Sequence, residues 1–199
     1  VPSVDMIEIG AGGGSIARVD DLGLLKVGPD SAGSSPGPAC YGLGGKQPCV
    51  TDADVFLGIL DPDNFLGGSM PLNMDACKSA INSLAKSLNV SDERAAYGIY
   101  SLVGETMAAA ARTHATERGV SYRGLPLLAF GGAGPIHACY VAEQLESEKV
   151  IFPKMASVLS AYGTLVTPVR LDMARSSLMR LEKIEWERAE ALMADMVLE

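Results

Sequence analysis

The stretch Phe130-Gly131-Gly132-Ala133-Gly134-Pro135-Ile136-His137 decides the fold of this 199-residue chain. The apolar residues 125–130 lead into its glycines and predict a short strand. Proline has no N–H to lose at the first position of a helix, so Pro135 predicts a helix that continues to about Leu145. A second apolar run at 150–152 predicts another strand. Strand, glycine turn, helix and strand at this length make one βαβ-like unit, and the fold class is therefore α/β or α+β.

The glycine turn at the start of this helix is suited to hold an anion or a nucleotide. Its residues are Gly131, Gly132, Ala133 and Gly134. Backbone N–H groups and the positive end of the helix dipole point there, and glycines let a ligand approach the backbone. The spacing is neither that of a Walker A loop nor the Rossmann GxGxxG, so a tight packing turn is the alternative. His137 follows in the first turn of the helix, near any ligand held there, although an isolated histidine is more often structural.

Glycine is concentrated in a second region, because 11 of the 22 glycines lie between Gly10 and Gly45. Residues 10–15 read Gly-Ala-Gly-Gly-Gly-Ser and follow an apolar run at 4–9 that predicts a buried strand. The residues that would wrap a phosphate here are Gly12, Gly13, Gly14 and Ser15. A turn between two strands is the alternative. Residues 28–45 have no periodicity and predict a long ordered loop, a feature that is commonly functional in compact domains.

The remaining pattern predicts a hairpin and several helices. Residues 16–19 and 22–27 alternate in a way that predicts two strands joined by a tight turn. A short helix is expected after the cap Thr51 or Asp52, and a second helix is expected over 73–88 from its amphipathic pattern. A third helix is expected over 91–118, capped by Ser91, and a fourth from Trp186 onwards.

Asp52 and Asp54 are candidate acidic groups of a site. Carboxylates beside a glycine loop can hold Mg²⁺ through bound water, which nucleotide sites commonly need. Capping of the helix that begins here is the alternative for either residue.

The composition excludes several classes of function. With a net charge of −8 and a pI of about 4.8, the chain has no basic stripe of the kind that a general nucleic-acid binder shows. Its four cysteines form no CxxC pair and it has only two histidines, so neither a zinc site nor a disulfide scaffold is expected. Cys40 and Cys139 are interpreted as small buried hydrophobic residues. No apolar run reaches the about 18 residues of a membrane span, and the chain is expected to be cytoplasmic, with no nucleic-acid or membrane partner.

Six segments occur in a fixed order along the chain. They are IGAGGGSIA at 9–17, VGPDSAG at 27–33, PGPACYG at 36–42, VTDA at 50–53, LG at 57–58 and AFGGAGPIHA at 129–138. This order and spacing resembles the hydantoinase A/5-oxoprolinase family, which includes N-methylhydantoinase A-like proteins and the ATP-dependent subunits of acetone carboxylases. Cys49 and Asp54 depart from the family pattern, which usually has Thr and Asn there. The compact segment 61–68 resembles the bacterial hydantoinase A group.

The resemblance implies the actin/Hsp70/sugar-kinase-like ATPase fold, an α/β fold in which ATP binds between two lobes. Residues 1–175 would be the C-terminal part of a hydantoinase A domain that is incomplete at its N-terminus, and residues 176–199 the start of a C-terminal helical segment. The family carries Asp-x-Gly-Gly-Thr phosphate loops upstream, and this sequence has none. The chain is therefore expected to be a fragment that does not hydrolyse ATP alone.

The resemblance also implies roles for the candidate residues. The 131–134 loop resembles the adenosine-side loop, and the 12–15 loop and Asp52 are expected to face the ATP cleft. Catalytic contacts are expected from Asp52, Ser15 and His137, and Asp52 is the candidate ligand of Mg²⁺ through water.

The activity that the resemblance implies is the ATP-driven opening of a cyclic amide, such as a hydantoin, 5-oxoproline or a related lactam. A hydantoinase B-like subunit or domain would complete the reaction in a hetero-oligomer. Two alternatives remain open: an ATP-dependent carboxylase subunit for acetone or a related ketone, and an ATPase-like module that binds a partner without chemistry.

Overall fold

The described part of the chain alternates short strands with helices. A computed structural model describes residues 6–169, 172–180 and 182–198. The strands are β1 (Ser15–Val19), β2 (Leu25–Ser31), β3 (Leu127–Leu128) and β4 (Val150–Ile151). The helices are α1 (Val50–Phe56), α2 (Met74–Leu88), α3 (Asp92–Glu117), α4 (Gly134–Gln144), α5 (Leu159–Val166) and α6 (Trp186–Leu198). Residues 7–164 form one compact unit, and the described residues from Leu165 onwards form a second unit with Met6.

Strands β1 and β2 pair antiparallel and confirm the predicted hairpin. The turn between them is closed by Asp20, whose side chain accepts hydrogen bonds from the N–H groups of Leu22 and Leu24 at 3.0 and 2.9 Å. Such local bonds are the reason that aspartate favours turns. The strand predicted over 4–9 is not observed at residues 6–9, because these residues pair with no strand in the described chain. Residues 4 and 5 lie outside the described ranges.

Helices α2 and α3 begin where they were predicted because side chains cap both N-termini. The Asn73 side chain accepts a hydrogen bond from the N–H of Ala76 at 2.9 Å, and the Ser91 hydroxyl accepts one from the N–H of Arg94 at 3.3 Å. These bonds satisfy backbone donors that have no partner within the helix.

Helices α1, α2 and α3 pack against the hairpin around one apolar core. Its buried members are Ala17, Val50, Ala53, Ile81, Leu84, Ala85, Ala95, Ala96, Ile99 and Val103. Several of them are alanines, which permit close approach of the helices. The core fixes α1 next to the strand that follows the first glycine turn.

Strands β3 and β4 and helix α4 form the predicted βαβ unit. The strands pair in parallel, with Leu127 opposite Val150, and each is shorter than its apolar run. Helix α4 packs on α3, where the ring of Tyr140 lies over Gly104. This packing positions the second glycine turn, which joins β3 to α4.

The fold is mixed α/β, as the βαβ unit predicts. In the second unit, α6 confirms the helix predicted from Trp186. Within the described ranges, no helix combines the length and apolarity needed to cross a bilayer. The actin/Hsp70/sugar-kinase-like assignment and the domain boundary after residue 175 stay predictions.

Candidate functional site

A cavity of about 600 Å³ lies within the first unit and is lined by both glycine turns. Gly13 and Gly14 come from the first turn, and Gly132 and Ala133 come from the second. The remaining wall includes the polar side chains of Thr51, Asp54 and Ser157, and the apolar or aromatic side chains of Tyr41, Leu60, Phe65, Leu66 and Ile136. The structure thus brings together two segments that are far apart in the sequence.

The first glycine turn is held by its own serine and by α1. The N–H of Gly12 donates to Ser15 Oγ at 3.0 Å, and the N–H of Ser15 donates to the Gly12 carbonyl at 2.9 Å. The N–H and the hydroxyl of Thr51 both donate to the Gly13 carbonyl at 2.9 Å. Gly12 and Ser15 are outside the cavity lining. The observed hydrogen bond of the Ser15 hydroxyl therefore closes the turn.

The second glycine turn leaves its backbone open. Gly131 has a left-handed backbone with φ of +94°, and its N–H donates to the Ala156 carbonyl at 2.9 Å. A Cβ built on Gly132 or Gly134 would meet no atom within 4 Å. Helix α4 starts at Gly134, so its positive dipole end lies at this turn. A ligand can therefore approach the main chain there.

Asp52 does not face the cavity, contrary to the expectation. Because α1 begins at Val50, Asp52 is a residue of its first turn, and its side chain is fully buried. Its Oδ1 accepts a hydrogen bond from the N–H of Cys40 at 2.7 Å, and its Oδ2 accepts from Ala39 and Cys49 at 3.1 and 2.8 Å. Burial raises the pKa of this carboxyl, and the backbone donors oppose that shift. The carboxylate ties the 39–41 turn to α1 and offers no open face to Mg²⁺.

Asp54, two residues further along α1, lies on the cavity wall instead. His137 of α4 is fully buried beside it, with Nε2 at 3.6 Å from Asp54 Oδ2. The imidazole stacks on the ring of Tyr100, with centroids 4.9 Å apart. In the part of the chain that the structure describes, Asp54 Oδ1 and both ring nitrogens of His137 have no hydrogen-bond partner. His137 is therefore close to the cavity, as expected, but sits outside its lining.

The sequence carries a signal for this arrangement. Residues three apart on a helix share a face, so Thr51 and Asp54 point to the same side, while Asp52 is rotated by about 200° from Asp54. Applying that spacing to 50–56 identifies both cavity residues. Tyr41 and Phe65, whose ring centroids are 5.6 Å apart on the cavity wall, carry no such signal because irregular loops place them.

The cysteines supply no nucleophile to the cavity. Cys40, Cys49 and Cys77 are buried. Burial raises the pKa of Cys49 and Cys77 to about 12 and raises that of Cys40 as well, which keeps these thiols protonated and unreactive. Cys139 is exposed, so its interpretation as a buried residue is wrong. Among the described residues, no group of three or more His, Cys, Asp or Glu side chains is arranged to hold a metal ion.

Known proteins match nearly all of this chain. A sequence profile described as Hydantoinase/oxoprolinase matches residues 1–173. The chain is 46% identical over 183 residues to caprolactamase subunit alpha of Pseudomonas jessenii, an alignment that covers 92% of the chain and 26% of that protein. It is 44% identical over 171 residues to the acetophenone carboxylase gamma subunit of Aromatoleum aromaticum, an alignment that covers 85% of this chain and 23% of that protein.

A solved structure shares the fold. The crystal structure of the ATP-dependent caprolactamase from Pseudomonas jessenii has a TM-score of 0.72 at 48% identity, covering 78% of this chain and 23% of the other. The chain spans about a quarter of the length of these relatives.

Proposed function

The chain belongs to the hydantoinase/oxoprolinase family, and from that membership we propose that its protein is an ATP-dependent hydrolase subunit that opens a cyclic amide. The substrate is proposed to be a hydantoin, 5-oxoproline or a related lactam. The observation that carries the proposal is the cavity lined by both glycine turns. The 46% identity to a caprolactamase subunit supports the amide chemistry.

Both glycine turns are proposed to contact the nucleotide, and the second turn, which resembles the adenosine-side loop of the family, would lie beside the adenosine and the phosphate attached to it. The open backbone at Gly132 gives a phosphate access to main-chain N–H groups, and the positive end of α4 attracts negative charge. In the first turn, the Gly13 carbonyl is occupied by the two hydrogen bonds from Thr51. Protein donors therefore satisfy the Gly13 carbonyl oxygen. The next residue, Gly14, lines the same cavity.

The chemistry requires activation of an unreactive bond. An amide carbonyl is a poor electrophile, and a phosphoryl group supplied by ATP to its oxygen would make the carbonyl carbon attackable by water. The ring C–N bond would then break with the nitrogen leaving as the amine, and the phosphoryl group would end as inorganic phosphate. The residues of the chain position the reactants: the N-terminus of α4 stabilises negative charge at the phosphates. The side chains of Leu60, Phe65 and Leu66 give an apolar surface to the part of the cavity that they line.

Mg²⁺ is proposed to accompany the nucleotide, but the geometry does not fit Asp52 as its ligand. Both oxygens of that carboxylate accept backbone hydrogen bonds, and no part of the side chain is exposed. Ser15 likewise bonds to its own turn. The proposed mechanism therefore assigns a structural role to these two residues.

A second polypeptide is part of the proposal. The two sequence relatives are named as an alpha and a gamma subunit, which supports a hetero-oligomer in which a hydantoinase B-like subunit completes the hydrolysis. An ATP-dependent ketone carboxylase subunit is the second candidate, and the 44% identity to an acetophenone carboxylase subunit favours it.

One assay separates the two candidates. The full-length protein with its partner subunit is tested for ADP release with hydantoin, 5-oxoproline, ε-caprolactam or acetone, each with and without bicarbonate. The hydrolase proposal predicts ADP release that needs a cyclic amide and does not respond to bicarbonate. ADP release that needs both a ketone and bicarbonate assigns the carboxylase activity instead, and no release with any amide rejects the hydrolase proposal.

A further inference from the structure

Among the described residues, three buried polar atoms on or beside the cavity wall lack the partners that buried atoms normally have. They are Oδ1 of Asp54 and the two ring nitrogens of His137, side chains that are 1% and 0% exposed. Buried polar side-chain atoms almost always form a hydrogen bond, and one without a partner destabilises the fold. Such an atom in a native structure calls for a specific explanation.

The hydroxyls of Tyr100 and Thr51 do not supply the missing donor. The hydroxyl of Tyr100, whose ring stacks on His137, donates to the Ile136 carbonyl at 3.5 Å. The hydroxyl of Thr51, one turn before Asp54 on α1, donates to the Gly13 carbonyl at 2.9 Å. Because Asp54 lines the cavity, a ligand bound there can provide the donor.

The other wall residues restrict the class of ligand. Leu60, Phe65 and Leu66 offer apolar contacts that suit the methylene groups of a ring, and Asp54 offers a hydrogen-bond acceptor. A carboxylate repels phosphate, so the nucleotide phosphates are poor candidates for this contact. A cyclic secondary amide combines an apolar ring with one N–H donor, whereas a simple ketone has no donor at all.

We infer that Asp54 accepts a hydrogen bond from the ring N–H of a cyclic secondary amide through Oδ1, and that His137 is the positioning residue that holds Asp54 through Oδ2. The inference rests on the proposed function and narrows it to amides that bear an N–H group. It makes Asp54 the residue that selects an amide over a ketone of similar shape. A site built around such a bond rejects the analogue that lacks the donor, because the acceptor is then left unpaired.

Matched ligand pairs test the bond directly. ε-Caprolactam and 5-oxoproline are each compared with their N-methyl derivatives by calorimetry, on the full-length protein with its partner subunit and a non-hydrolysable ATP analogue. We expect the ring that binds to lose affinity by at least about tenfold on N-methylation.

Variants separate the hydrogen bond from steric exclusion and from stability. Replacing both partners by leucine leaves no unpaired buried charge, which proteins tolerate far better than the loss of one partner. In Asp54→Leu/His137→Leu the preference for the N–H ring is expected to fall to about one, with a melting temperature that does not fall. Asp54→Asn keeps an acceptor oxygen and should keep the preference.

The positioning role of His137 has its own readout. In His137→Gln the side-chain amide can still donate to Asp54, so we expect KM for the lactam to stay near the wild-type value in the ADP-release assay. In His137→Leu that KM should rise by at least about tenfold while kcat changes less, since ground-state binding of the ring is what is lost. A uniform fall in active protein lowers kcat and leaves KM unchanged.

Asn82→Ala is the matched control, because the Asn82 side chain also ties two helices together through a 3.0 Å hydrogen bond to Asp92, and neither residue lines the cavity. It should lower the melting temperature and leave the N–H preference intact.

The inference is overturned if the wild type shows no preference, if the preference survives in the double leucine variant, or if neither ring binds. Preferential binding without ADP release from ATP rejects the proposed hydrolysis alone.

Discussion

The carboxylate of Asp52 fastens the 39–41 turn to α1 through three backbone hydrogen bonds. Asp52→Ala leaves three buried N–H groups without an acceptor, and we expect the free energy of unfolding to fall by about 3 kcal/mol or more. Asp75→Ala, at an exposed position in the first turn of α2, is the control and should cost at most about 1 kcal/mol. Urea unfolding followed by circular dichroism measures both losses, and losses of equal size would contradict the structural role of Asp52.

The buried thiols provide a second prediction at the residue scale. Burial raises the pKa of Cys49 and Cys77 from 9.0 to about 12, so at pH 8 an alkylating reagent should modify the exposed Cys139 first. Mass spectrometry of the native protein and of the protein in denaturant gives the order of modification. Early modification of Cys49 or Cys77 under native conditions would contradict the burial of these two thiols.

The same pKa shifts determine a dependence of stability on pH. Between pH 9 and about 12, the unfolded chain has released the thiol protons of Cys49 and Cys77 while the folded chain retains them. Unfolding then releases protons, so the stabilising contribution of these thiols is full below pH 9 and is lost as the pH rises towards 12. Cys49→Ala should make the decline in stability over this range less steep.

At the scale of elements, the contact between α3 and α4 depends on a glycine. A Cβ on Gly104 would overlap the ring of Tyr140, whereas a Cβ on Gly98 of the same helix would meet only the end of the Leu25 side chain at 3.1 Å. We expect Gly104→Ala to lower the free energy of unfolding by about 1–3 kcal/mol through overpacking. Gly98→Ala should be neutral or slightly stabilising, because alanine favours the helix and the leucine end can move.

Thermal unfolding of the two alanine variants makes the comparison. Since both substitutions add the same methyl group to the same helix, helix propensity cancels between them. An equal melting temperature for Gly104→Ala and Gly98→Ala would contradict the close packing of α3 on α4.

Elements with local signals were predictable from the sequence, and elements that depend on distant partners were not. Asn73 and Ser91 cap their helices through bonds within one turn, so the starts of α2 and α3 could be predicted. The apolar run at 4–9 looks like a strand, but a strand needs a partner, and residues 6–9 find none in the described chain. The start of α1 at Val50 was missed. The expectation that Asp52 faces the cleft came from the family resemblance, and the structure places Asp54 on the cavity wall instead.

At the scale of the whole molecule, the two glycine turns form one cavity although long stretches of sequence separate them. Each turn was predicted as a candidate ligand loop from its own sequence, and the resemblance to a family placed both at one cleft. Local pattern cannot supply that proximity, because it follows from the packing of α1 and α4 on α3. The unpaired Asp54 and His137 depend on the same packing, so their contact could not be predicted from spacing.

The central claim is that the two turns bind a nucleotide, and titration of ATP into the full-length protein tests it most directly. Gly132→Ala adds a methyl group that meets no atom of the described chain within 4 Å and projects from a residue of the cavity wall, so it should block the ligand and spare the fold. Gly163→Ala, in α5, also adds a methyl group to a glycine, and Gly163 does not line the cavity. The account predicts that wild type and Gly163→Ala bind ATP equally and that Gly132→Ala binds at least about tenfold more weakly at an unchanged melting temperature. Equal ATP affinity in all three proteins, or no ATP binding by the wild type, would contradict it.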